Sequence, residues 1–206
     1  MLEIKDTTVK YWNKVNNPYD AISIICDNWD SSMFDDELIP FNIFPIPNLL
    51  DKDKIILDVA CGIGRRAKFI SSSVKQYIGV DFSDNMIALA RERYKDRHNV
   101  SFFHNDGKTL DMITDNTIDI AICELAFQHM KKKTIKSYIN EVYRVLKPGG
   151  VFISQVPKFD YYKNKNYSFS MTDNEQLFYK YSKVEYLNNL PKDYNDHAYF
   201  YMKVTR

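Results

Sequence analysis

The chain has 206 residues, 45% of them hydrophobic and 27% charged, and 28 Lys plus Arg against 27 Asp plus Glu leave a net charge of +1. That length suits one domain with a sizeable core, while the charge balance lacks the basic excess that duplex nucleic acid demands. Cys26, Cys61 and Cys123 are odd in number and widely spaced, which excludes a Cys-x-x-Cys zinc site or disulfide framework and points to a reducing cytoplasm. Met1 to Lys10 lacks a signal-peptide core, and no apolar run approaches the ~20 residues of a membrane span.

Residues 1–54 predict one or two helices, around Thr7–Asn16 and Ala21–Trp29, then a proline-punctuated stretch from Pro40 to Pro47. Together they read as an N-terminal helical cap or lid. Tyr11-Trp12 either folds over a ligand or packs on a sheet edge, and both readings stay open. From Ile55 the chain reads as a short apolar strand that breaks into a glycine loop at Gly62 and Gly64. The loop should present bare backbone N–H groups at the carboxyl edge of a sheet, with a helix from Arg65 to Val74 aimed at the same spot.

Tyr77 to Val80 is the next strand, ending at Asp81, and Ser83 is the expected N-cap of a helix over Asp84 to Tyr94. Val100–Phe103 and Ile118–Cys123 read as strands three and four. Lys131 to Lys147 shows apolar residues at helical spacing, namely Ile135, Tyr138, Ile139, Val142, Val145 and Leu146, and Pro148-Gly149-Gly150 stops it. Val151–Val156 is a fifth strand. Residues 158–176, rich in Tyr, Lys and Asn, read as a long loop. Tyr179–Leu187 and His197–Thr205 read as a final pair of strands.

Strand and helix thus alternate over residues 55–156, as right-handed parallel crossovers require. The expected fold is one α/β domain: a doubly wound, Rossmann-like, mostly parallel sheet of seven strands with helices on both faces and the last strand antiparallel. Residues 55–156 form its ligand-binding core, and 157–206 supply a loop and strands on the acceptor side. The ligand belongs at the carboxyl ends of the first strands.

Gly62-x-Gly64-x-x-Ala67 satisfies a loose dinucleotide pattern, and Asp81 lies where an acid would hold a ribose. Asp58, near the end of strand one, decides against it. A pyrophosphate would be repelled by a nearby carboxylate, whereas an amino-acid ammonium would be attracted. An adenosine with a cationic end is the favoured ligand.

The stretch Leu57-Asp58-Val59-Ala60-Cys61-Gly62-Ile63-Gly64 resembles motif I of class I S-adenosylmethionine-dependent methyltransferases, of the small-molecule type. The likeness extends to Gly79-Val80-Asp81-Phe82-Ser83-Asp84-Asn85-Met86, to Asn105-Asp106-Gly107 and to Leu146-Lys147-Pro148-Gly149-Gly150. The resemblance implies S-adenosylmethionine as cofactor. It implies that the backbone around Ala60, Cys61, Gly62 and Gly64 cradles the methionine end, with Asp58 near the ammonium. Asp81 would take the ribose hydroxyls, Phe82 and Met86 would pack on adenine, and Asn105, Asp106 and Gly107 would meet its polar edge. Cys123 and Glu124 would border the sulfonium, and Tyr11 would close over the cofactor.

Methyl transfer needs in-line positioning and exclusion of water, and a base only where the acceptor must lose a proton. Candidates at the edge of strand four are His129 and Glu124, with Gln128 between them. Residues 123–126, Cys-Glu-Leu-Ala, do not match the Pro-Pro-aromatic signature of nucleic-acid amino methylation, and no surplus carboxylates predict a metal. The aromatic and basic run 158–169 would suit either single-stranded RNA or a lid over the acceptor, and the neutral chain favours the lid. The reading is therefore methylation of a small molecule, at oxygen rather than nitrogen, without nucleic acid or membrane. A silent cofactor-binding module that acts through a partner and an NAD-type oxidoreductase are its rivals.

Overall fold

The computed structural model describes residue 16 and residues 47–158, 168–187 and 199–206. The expected N-terminal helices, Tyr11-Trp12, Cys26 and the aromatic run 159–167 lie outside the described residues. Seven strands form one sheet in the order β3-β2-β1-β4-β5-β7-β6. They are β1 (Ile55–Val59), β2 (Gln76–Asp81), β3 (Val100–His104), β4 (Ile118–Cys123), β5 (Leu146–Pro157), β6 (Lys183–Tyr186) and β7 (Tyr199–Thr205). The first five are mutually parallel, and β7 runs antiparallel to both β5 and β6. Among the described residues the α-helices are α1 (Ala67–Ile70), α2 (Asp84–Arg93), α3 (Lys132–Val145) and α4 (Met171–Leu177). No helix among the described residues is long and apolar enough to cross a membrane.

Pleating sends successive side chains to opposite faces, and the buried parallel strands build two cores from this alternation. Leu57, Val59, Val80, Ala121, Cys123 and Phe152 pack under α3 with Ile135, Ile139 and Val142. Ile56, Tyr77, Ile120, Ile122 and Ile153 pack on the other face with Ala67 and Ile70 of α1 and Ile87 and Ala90 of α2. The strand order reverses direction between β1 and β4, which opens a crevice at their carboxyl ends.

Three local departures from the expected elements have physical causes. The helix after the glycine loop is a single α turn followed by a 3-10 turn at Ser71–Ser73, where the Asn99 amide caps the chain end by donating to Ser71 O and Val74 O. Helix α3 ends at Val145, and Leu146 is already extended (φ −64°, ψ 142°) and bridges to Ile118. Lys147, which precedes Pro148, is disfavoured in the α region. The loop expected over 158–176 contains α4, started by a capping box in which Ser170 Oγ accepts from Asp173 N–H and the Asp173 carboxylate accepts from Ser170 N–H.

Candidate functional site

The glycine loop joins β1 to α1, and its N–H groups are not bare. Cys61 N–H donates to Val80 O, Gly64 N–H to Cys61 O and Gly62 N–H to Asp81 Oδ2, the last at 2.9 Å. Asp81 Oδ1 accepts from Ser83 N–H at 2.9 Å. The carboxylate at the end of β2 thus ties down the glycine loop after β1. Burial holds the Asp81 carboxyl above its ordinary range, against the lowering effect of the Ser83 and Gly62 N–H groups. Each of its oxygens has a second lone pair, which two ribose hydroxyls can use.

Ala60 turns the chain at the end of β1 with φ 59°, a left-handed conformation that costs a residue with a Cβ about 1–2 kcal/mol. Gly64 also has positive φ, and it is covered: an added Cβ would lie 2.6 Å from Phe102 Cζ. The same ring lies over Gly79 of β2, where a Cβ would meet Phe102 Cδ1 at 2.6 Å and Cys61 Sγ at 2.8 Å. Phe102 thus wedges the loop against the sheet, with Tyr94 and Tyr77 around it at ring distances of 5.6 and 6.0 Å. The Cys61 and Cys123 thiols belong to the two cores and are pushed up by burial.

Asp58 lies beneath the loop, 3% exposed, where the Tyr77 hydroxyl donates to its Oδ2. Burial raises its carboxyl to about 7, opposed by the Tyr77 hydrogen bond and the nearby Arg66. Arg66, at the N-cap of α1, also pairs with Glu124 just after β4: Nε donates to Oε2 and Nη2 lies against the same oxygen. Tyr77, Arg66 and Phe102 escaped the sequence reading. A tyrosine within an otherwise aliphatic strand and a second arginine after the glycines were the available signals.

The far wall is set by the segment after β3. Asn105 is buried and its amide is used by the fold, donating to Thr109 O and Tyr138 Oη while Oδ1 accepts from Gly107 N–H. Asp106 is exposed, and its Oδ1 gathers the Lys108 and Thr109 N–H groups, which lowers its carboxyl. Gly107, at φ 74°, lies beside Phe82, which is half-buried, and Met86 is buried on α2. Ser83 caps α2 as expected, accepting from Met86 N–H. His129 sits half-buried in the 3-10 turn Phe127–His129, and Leu125 N–H donates to Gln155 Oε1 at 2.6 Å.

Carboxylates thus stand at the ends of β1 and β2 and just beyond β3 and β4, and the Glu124 Oε1 atom is buried with no hydrogen-bond partner among the described residues. These acceptors fit an adenosine with a cationic amino-acid tail and oppose a diphosphate. Fold and site together define a nucleoside-binding α/β domain of this kind. Residues 56–150 match the family described as methyltransferase domain. A demethylmenaquinone methyltransferase from Staphylococcus saprophyticus is 33% identical over 100 residues, covering 47% of this chain and 42% of that protein. One of the same name from Leptospira interrogans is 28% identical over 148 residues, covering 69% and 57%. The chain therefore spans about half the length of these curated relatives. A solved S-adenosylmethionine-dependent methyltransferase from Aquifex aeolicus shares the fold with a TM-score of 0.59 over 96% of this chain and 98% of that one, at 15% identity.

The chain carries a class I S-adenosylmethionine-dependent methyltransferase domain. S-adenosylmethionine is the cofactor of that class, and the NAD-type reading is set aside.

Proposed function

We propose that this protein transfers the methyl group of S-adenosylmethionine to a small-molecule acceptor, with oxygen favoured over nitrogen as the receiving atom. The observation that carries the proposal is the row of carboxylates at the strand ends, Asp58, Asp81, Asp106 and Glu124, which favours a nucleoside with a cationic tail over one with a diphosphate. The names of the demethylmenaquinone methyltransferases support a small acceptor. When bound, the cofactor supplies an electrophilic methyl on a sulfonium. In this reading Asp81 holds the ribose hydroxyls, Phe82 and Met86 flank the adenine, and Asp106 accepts from its amino group. His129, in the turn after β4, takes the proton from an acceptor hydroxyl as the methyl arrives.

A second reading, a silent cofactor-binding module, is supported by Glu124: its carboxylate is already engaged by Arg66, which leaves His129 as the base candidate among the residues singled out after β4. The test is a screen of phenols, hydroquinones, alcohols and amines with isotope-labelled S-adenosylmethionine, following label in acceptor and release of S-adenosylhomocysteine. Labelled ether products that fall at least ~10-fold in His129→Ala, with cofactor affinity unchanged, are the expected result. Label in amines alone refutes oxygen transfer, and tight cofactor binding without turnover on any acceptor favours the silent module.

A further inference from the structure

Leu125, just beyond the end of β4, adopts φ 53°, the left-handed region that a residue with a Cβ disfavours. The 3-10 turn Phe127–His129 follows directly, and its His129 N–H donates to Ala126 O at 2.9 Å. Both supports of this segment come from β5. Gln155 is 2% exposed, and its Oε1 accepts from Leu125 N–H at 2.6 Å. Phe127 is buried and packs edge-on against Phe152, with ring centroids 6.4 Å apart. Phe152 belongs to the core under α3, while Ile153 belongs to the other core, so pleating turns Gln155 to the face opposite Phe152. The segment is thus gripped from both faces of the sheet.

An unfavourable backbone conformation persists where its surroundings over-determine it, and such residues cluster at functional sites. Glycine at position 125 would take this conformation freely. A buried amide on β5, which is paired on both sides by β4 and β7, carries a desolvation cost that an aliphatic residue avoids. The chain instead combines a strained leucine with a buried glutamine 30 residues further on. That combination fixes the direction in which the chain leaves β4, at the carboxyl edge where the crevice lies. We infer that Gln155 is a positioning residue for methyl transfer: its bond to Leu125 N–H holds the turn that presents His129 to the methyl acceptor. This rests on the proposed role of His129 as base. A base displaced by about 1 Å loses a large factor in rate while cofactor affinity stays as it was.

Steady-state kinetics with an acceptor that the wild-type protein labels, together with calorimetric titration of S-adenosylhomocysteine, test it. Gln155→Met keeps the length of the side chain and removes the oxygen. It should lower kcat about tenfold, with acceptor KM and S-adenosylhomocysteine affinity within about twofold of wild type. In the His129→Ala background the same change should cost less than about twofold, because a residue that acts through His129 then has nothing to position. A residue that serves only the fold would lower the melting temperature and leave the kcat of folded protein alone. Gln155→Asn withdraws the oxygen by one methylene and still offers water a polar partner. It covers the case in which Gln155→Met does not fold, and it should show the same pattern with a smaller loss. Unchanged kcat in the folded Gln155 variants, a parallel loss of S-adenosylhomocysteine affinity, or the full loss repeated on top of His129→Ala overturns this inference and leaves the proposed reaction standing. Full turnover by His129→Ala overturns it together with the base assignment. A wild-type protein that labels no acceptor refutes the proposed reaction and this inference with it.

Discussion

Asp81 and Gly62 are 19 residues apart, yet the carboxylate at the end of β2 accepts the N–H of the loop after β1 at 2.9 Å. The bond has two consequences. It locks the loop to the neighbouring strand, and it leaves the carboxylate's remaining lone pairs for the hydroxyls of a ribose.

Asp81 should therefore matter to both ligand and loop. Asp81→Ala removes the ribose acceptor and strands the buried Gly62 N–H, at a cost of about 1–3 kcal/mol in stability. In a thermal-shift assay, wild-type protein at a hundredfold over the dissociation constant should gain ~2.7 kcal/mol from S-adenosylhomocysteine. The variant should show no shift at the same concentration. An undiminished shift would show that the ribose is held elsewhere.

Asp58 makes stability depend on pH in a definite direction. Burial raises its folded-state carboxyl to about 7, whereas an unfolded aspartate titrates near ~3.9. Between those values the folded protein binds the extra proton, so this carboxyl's contribution to stability is greatest below ~4 and falls as pH rises toward 7. Asp81, also raised by burial, adds a slope of the same sign. Asp58→Asn retains an acceptor for the Tyr77 hydroxyl and cannot ionise. Its melting temperature should exceed that of wild type by several degrees at pH 8 and converge with it near pH 4, since ~1 kcal/mol moves the midpoint by ~2–4 °C at this size. Melting curves by circular dichroism across that range decide it, and parallel pH slopes for the two proteins would refute it.

Gly79 tests the wedge. A methyl there would press on Phe102 Cδ1 and Cys61 Sγ, both closer than 3 Å, in a core with no slack. Gly79→Ala should cost about 1–3 kcal/mol, and adding Phe102→Leu should recover part of that loss. Urea unfolding of the single and double variants measures the coupling. Strict additivity of the two changes would mean that the ring does not press on Gly79.

Much of the fold was legible because its signals are local. Strand β4 runs over Ile118–Cys123 as its apolar run predicts, and α2 begins behind Ser83, whose side chain caps Met86 N–H. The antiparallel β6 and β7 follow from the β-branched and aromatic residues near the C-terminus. Where competing local signals met, the reading slipped. The distant Asn99 amide takes the carbonyls after α1 where a longer helix was expected, and the Ser170–Asp173 capping box lay hidden in a segment whose composition suggested a loop. Asn105 shows the corresponding limit at the site: its motif places it beside the nucleoside, but its amide is consumed by Thr109, Tyr138 and Gly107.

Sequence by itself determined the alternation of strands and helices and the acidic chemistry at the strand ends, because period, capping and motif are properties of neighbouring residues. Only the tertiary structure decided which groups meet. The sheet register brings β2 beside β1 and β4 beside β1, so Asp81 reaches Gly62, Tyr77 reaches Asp58, and Arg66 reaches Glu124 across 58 residues. Those meetings depend on strand order and burial, which no local window of the chain contains.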